Sequence, residues 1–131
     1  MLNKLIQIGF KKAGDWSLVN EVPSLHIESE AFSKNVLYCF VVAGNPKYVG
    51  KTTQILKKRM YGYEKPGTSQ STNIKNNKLI VEALKSNLSV ELFVLPDNGL
   101  LYFGEFHVNL AAGLEDSIVK GIEPEWNRLG K

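Results

Sequence analysis

VLYCFVVAGNPKYVGKT, residues 36–52, is the stretch on which the reading of the whole chain turns. An apolar run from Val36 to Ala43, rich in β-branched and aromatic residues, stops at Gly44-Asn45-Pro46, and Lys47, Tyr48 and Val49 restart an extended segment. That is the pattern of a β-hairpin. Side chains alternate along a strand, so Tyr38, Phe40 and Val42 share one face while Leu37, Cys39 and Val41 share the other. Gly50 takes side-chain bulk away beside Lys51, and with tyrosine hydroxyls close by this predicts an opening that admits a phosphate.

The chain is 131 residues long, with hydrophobic and charged fractions ordinary for a globular protein. It is expected to form one domain over 1–131, with 1–34 as an N-terminal extension packed on a core at 35–128. No apolar run is long enough to span a membrane, and the first residues lack the apolar core and cleavage site of a secretory signal, which predicts a cytoplasmic protein. The single cysteine, Cys39, excludes an internal disulfide framework and a cysteine-based zinc site.

Charge is unevenly spread. Between residues 47 and 85 stand Lys47, Lys51, Lys57, Lys58, Arg59, Lys65, Lys75, Lys78 and Lys85 against Glu64 and Glu82 alone. Such a block is either the footprint of a polyanion or a solvated helix surface.

Along the chain, Leu2 to Phe10 alternates loosely around Ile6, Ile8 and Phe10 and predicts a strand, and Ser24 to Phe32 predicts one or two helical turns. After the hairpin, Thr52 and Thr53 offer an N-cap for a helix to about Tyr61, with Gly62 as its stop. Arg59 lies on the same stripe of that helix as Ile55 and is aimed back toward Lys51. A polar loop follows through Thr72. A second helix starts at Thr72 or Asn73 and runs to Asn87, with Ile80, Val81 and Leu84 buried and Lys75, Lys78 and Lys85 outside. Val90 to Leu95 reads as a strand closed by Pro96-Asp97-Asn98-Gly99, and Leu100 to Val108 as extended. Asn109 caps a third helix, Leu110 to Lys120, ended by Gly121 and Pro124.

Glu115 on that third helix shares an apolar stripe with Ala111, Leu114 and Ile118. A carboxylate so placed needs a partner, because burying it alone is costly. The candidates are a salt bridge, to Arg59 for example, and a divalent cation such as Mg²⁺ or Mn²⁺.

Two tyrosines, a lysine, an arginine and a glutamate in this order resemble the GIY-YIG nuclease family. Val36-Leu37-Tyr38 stands where that family has its first tripeptide and Tyr48-Val49-Gly50 where it has the second. Arg59 is similar to the arginine of its next helix, Glu115 in GLEDSIVK to the glutamate of its metal-binding helix, and Asn127 in PEWN to its terminal asparagine. The likeness covers residues 35–128. Lys51 directly after Gly50 looks like the restriction-enzyme and phage-endonuclease branches.

The resemblance implies an α+β fold, with a small, mainly antiparallel sheet of three core strands flanked by helices. It implies a DNA endonuclease with one Mg²⁺ or Mn²⁺ held by Glu115 and Tyr38 as general base, assisted by Lys51. Arg59 would grip the phosphate, Tyr48 would position and Asn127 would support. Lys47, Lys57, Lys58, Lys65, Lys75 and Lys78 would contact DNA, and a homodimer would serve double-strand cleavage. Two alternatives stand beside it. One is a non-catalytic nucleic-acid-binding module on the same fold. The other follows from Gly44 to Thr52, which also resembles a nucleotide phosphate loop, although five residues separate its glycines and Pro46 removes a backbone N–H. His26 and His107 belong to no ligand pattern, and Trp126 reads as a packing anchor.

Overall fold

A computed structural model describes residues 1–129. The hairpin at its centre is built from β3 (Val36–Val42) and β4 (Asn45–Thr52). Its turn is Ala43-Gly44, both with positive φ (48° and 82°), one step earlier than the sequence suggests. A two-residue turn of that kind matches the twist of paired strands. Asn45 and Pro46 therefore belong to β4, where a proline costs no ladder bond because β4 is the sheet edge.

Around the hairpin the sheet has five strands in the order β2-β1-β5-β3-β4, with β1 at Lys11–Val19, β2 at Val22–Ile27 and β5 at Val90–Pro96. All its pairings are antiparallel. The three expected strands, β5, β3 and β4, form one half, and residues 11–27 supply two more.

Helices cover both faces. On the Tyr38 face lie α2 (Leu56–Glu64), α3 (Ser71–Lys85) and the short α5 (Glu125–Arg128), enclosing Tyr38, Phe40, Met60, Tyr63, Ile80 and Trp126. On the Leu37 face, α1 (Leu2–Gln7) and α4 (Leu110–Ile122) cover Leu37, Cys39, Val41, Val49 and Phe93. Each layer hides one side of a strand that is buried along its whole length, which is why β3 reads as a continuous apolar run. Burial also pushes the Cys39 thiol up to about 12, so it is a packing residue.

Two expectations are overturned. Residues 2–7 are a helix, because Leu5 and Phe10 are the buried residues and Ile6 and Ile8 are exposed. Val22–Ile27 is a strand of the β1–β2 hairpin. The Gly-Lys-Thr ending of the phosphate-loop-like stretch lies within strand β4, not at the start of a helix, so no phosphate loop exists here. Among the described residues no helix is long and apolar enough to cross a membrane.

Candidate active site

Tyr48 reaches the Tyr38 face through a bulge. Val41 pairs with Pro46 but Phe40 pairs with Tyr48, leaving Lys47 as an extra residue. Without that insertion every later side chain of β4 would turn to the other face. With it, Tyr48 sits opposite Phe40, Gly50 opposite Tyr38, and Lys51 opposite Leu37.

Gly50 makes room for the neighbouring tyrosine. A Cβ there would meet the Tyr38 hydroxyl at 2.6 Å and its Cζ at 2.7 Å. The space read from sequence as an entrance for phosphate is filled by the Tyr38 ring.

Behind that ring stands Tyr63, at a position where the sequence predicts a polar loop. Helix α2 runs past Gly62 and presents Tyr63 one turn after Arg59, fully buried. The hydroxyls of Tyr38 and Tyr63 are 2.6 Å apart. Arg59 Nη2 donates to the Tyr63 hydroxyl at 2.7 Å, and the guanidinium carbon lies 4.2 Å from the Tyr63 ring centre. Arg59 Nη1 donates to Asn73 Oδ1 at 2.9 Å, and Asn73 in turn donates to Gln70 Oε1 at 3.1 Å. Gly62 leaves room for this contact, since a Cβ there would stand 3.2 Å from Asn73 Nδ2 and 3.4 Å from Arg59 Nη1. The signal for Tyr63 was its spacing, four residues after Arg59 on one helix face.

Tyr48 completes a group of three phenols, its ring centre 6.3 Å from Tyr38 and 6.5 Å from Tyr63. Burial pushes all three hydroxyls well above the ordinary tyrosine value, and the Arg59 charge pulls each partly back. Tyr48 is the least buried of them. After burial and Tyr63, the negative charge of Glu115 adds a smaller upward push on it.

Glu115 enters from the other helical layer. On α4 it stands between buried Ala111 and Ile118 and is itself half-buried. The expected Arg59 partner is committed to Tyr63 and Asn73, and among the described residues Glu115 makes no ion pair or hydrogen bond. Asn127 closes the far side, donating to Val49 O and accepting from Val49 N, both at 2.8 Å, so that α5 is pinned to β4.

The remaining expected residues divide. Lys51 leaves the sheet on the Leu37 face, and the cation acting on the Tyr38 phenol is Arg59. Lys51 instead borders two hollows, one of about 570 Å³ with Arg59, Gln70 and Asn73, the other of about 290 Å³ with Asn109 and Ala111. Lys47 is paired with Glu125 at 3.1 Å. Lys75 donates to the carbonyls of Trp126 and Leu129 at 2.6 and 3.0 Å, clamping the C-terminal turn on α3. Lys57, Lys58, Lys65 and Lys78 are exposed on α2, α3 and the residue after α2. His107 lies 3.3 Å from Asp97 at the base of the exposed hairpin formed by β6 (Tyr102–Phe103) and β7 (Phe106–His107).

No family model and no curated protein matches the chain. Among solved structures, a mutant of EndoII from bacteriophage T4, a GIY-YIG nuclease, superposes with a TM-score of 0.76 at 25% identity, over 97% of this chain and 98% of that one. A restriction endonuclease in complex with product DNA superposes with a TM-score of 0.55 at 16% identity, over 97% of this chain and 81% of the other. That second likeness bears on the fold alone. The first extends over nearly the full length of both chains, and the protein accordingly has the GIY-YIG nuclease fold.

Proposed function

We propose that the protein is a metal-dependent DNA endonuclease acting at the β4 edge. The observation that carries this reading is a preset guanidinium and three linked phenols from β3, β4 and α2, beside a helix, α4, that carries an unpaired carboxylate. The fold shared with EndoII, a nuclease, supports it.

In this proposal water attacks the phosphorus of a phosphodiester and the bond to the 3′ oxygen breaks. Arg59 grips the non-bridging oxygens. Its planar fork suits a phosphate, and Asn73 already holds it in orientation. Tyr38 is the general base. A phenol so buried does not ionise freely at neutral pH, so it takes the water's proton as its own passes to Tyr63, that of Tyr63 to the less buried Tyr48, and that of Tyr48 out to solvent. Arg59 spends one N–H of each terminal nitrogen on Asn73 and Tyr63, which leaves its other donors for the phosphate. Lys51 neutralises phosphate from the rim, and Asn127 keeps β4 and Tyr48 in place.

Glu115 suits Mg²⁺ or Mn²⁺. A half-buried carboxylate without a protein partner among the described residues is a ready oxygen donor for an ion that keeps several waters. When bound, such an ion stabilises the charge of the leaving oxygen. Lys57, Lys58, Lys65 and Lys78 supply backbone contacts, so binding should weaken steeply with salt. Lys47 and Lys75, already engaged within the fold, contribute less. One site cuts one strand, so nicking is the elementary event and a homodimer would be needed for concerted double-strand cleavage.

Plasmid nicking with Mg²⁺, Mn²⁺ or EDTA tests the proposal. The wild type should nick with either ion and stop in EDTA, Tyr38→Phe should lose at least about a hundredfold in rate, the typical worth of general acid–base catalysis, and Glu115→Ala should lose the metal-dependent nicking. Tight DNA binding with no cutting under any condition would replace it with the non-catalytic module.

A further inference from the structure

The side of α2 turned away from Arg59 borders aromatic side chains that take no part in the chemistry at Arg59. Lys57, Tyr61 and Glu64 lie on one stripe of the helix, at spacings of four and three residues. Opposite them stands Phe32, from the segment between β2 and β3. Together with Ile55 and Lys58 they border a mainly apolar cleft of about 440 Å³. Phe32 is 74% exposed and Tyr61 54%, a large amount of aromatic surface to leave in water.

Phe32 is held in that position. Leu56 N donates to Ser33 O at 2.9 Å and Lys57 N to Ala31 O at 2.8 Å, so the carbonyls flanking Phe32 satisfy the first amides of α2. Ser33 Oγ donates to Glu30 at 2.7 Å, and Lys11 pairs with Glu30 at 3.1 Å. The ring is thus presented by a braced segment. Cations stand beside both aromatics, with the Lys57 ammonium 5.8 Å from the Phe32 ring centre and that of Lys65 6.0 Å from the ring of Tyr61.

Shared walls connect this cleft to the catalytic groove. Lys58 and Tyr61 also line a hollow whose other side is Arg59, Gln70 and Asn73. The path from Arg59 is about the width of one helix, roughly 10 Å, which corresponds to about three stacked nucleotide steps.

We infer that the cleft between Phe32 and Tyr61 receives one unpaired nucleobase of the strand held at Arg59, within about three nucleotides of the cut. The inference rests on the nuclease reading and adds a substrate preference to it: DNA with a disrupted base pair beside the scissile phosphate. A base fits the chemistry better than a phosphate does. The floor is apolar, and Glu64 at its edge would repel a phosphate but accept a hydrogen bond from an amino group on a base. The lysines on either side suit the phosphates that flank such a base.

The test uses duplexes that share one cut position and carry a single unpaired base at successive distances from it. The wild type should cut one member of the set with kcat/KM about tenfold above the intact duplex, the size of one base–aromatic stack. An abasic site at the same position should abolish the gain. Phe32→Ala and Tyr61→Ala should each lose the gain and still cut the intact duplex at the wild-type rate. A 2-aminopurine at that position should be quenched on binding to the wild type and not to either variant. Cutting without any positional preference, a preference that survives both substitutions, or substitutions that alter only self-association in sedimentation would overturn the inference and leave the nuclease reading standing. If no DNA is cut or bound, both fall together.

Discussion

Gly50 carries more of the site than its lack of a side chain suggests. Its missing Cβ is the space in which the Tyr38 phenol lies, and that phenol is in turn fixed by Tyr63. Gly50→Ala must move a ring that is buried on every side, and overpacking of this kind costs about 1–3 kcal/mol. A fall of that size in the unfolding free energy from urea denaturation, together with lost nicking, is expected; an unchanged free energy would mean that the ring is not where the structure has it. Sequence alone made the tyrosines, Arg59 and Glu115 visible, because their order follows a known pattern. It did not make the purpose of Gly50 or Gly62 visible. Both glycines accommodate side chains from other elements, a pairing that local sequence does not encode, and Gly62 looked like a helix stop for the same reason. Lys51 shows the reverse error: adjacent in sequence to the hairpin glycine, it stands on the far face of the sheet from Tyr38.

At the level of elements, legibility followed local chemistry. The end of β5, the capped start of α4 and the β3 run were all readable, since turn residues, an Asn cap and an apolar run announce themselves; Asn109 Oδ1 does accept from Ala112 N at 3.2 Å. The β1–β2 hairpin was missed because its turn, Asn20-Glu21, has both residues at positive φ (53° and 63°) without the glycine that usually marks such a turn. The bulge at Lys47 left no mark in composition either, yet it decides which face Tyr48 occupies. Helix α4 offers a test of the same principle. Gly121 was expected to end it, but the helix continues to Ile122 and Glu123 takes the left-handed position, with φ 44° and ψ 62°. A glycine there relieves that strain, so Glu123→Gly should raise stability by about 1 kcal/mol. Thermal unfolding that shifts downward instead would show that the Glu123 side chain contributes something the backbone argument omits.

Across the whole molecule the sheet separates two helical layers, and the candidate site forms only where they meet along β4: Arg59 and the phenols from one layer, Glu115 from the other. The basic third of the chain falls on β4, α2 and α3. The phenol layer also ties stability to pH. Tyr38, Tyr48 and Tyr63 all have their hydroxyls pushed above the ordinary value near 10 by burial. Above about pH 10 the unfolded chain therefore gives up protons that the folded chain keeps, and stability falls as pH rises, by roughly 1 kcal/mol per unit for each phenol. Below that pH these groups are neutral in both states and have no effect. Three acting together would exhaust a typical stability of about 5–15 kcal/mol within a few units. Alkaline titration followed by circular dichroism and tyrosinate absorbance should show the buried phenols ionising in the same step that unfolds the protein, with a shallower dependence in Tyr38→Phe. Ionisation of all the tyrosines near pH 10 with the fold intact would mean that the three hydroxyls are open to water, and the proton path from Tyr38 through Tyr63 would lose its basis.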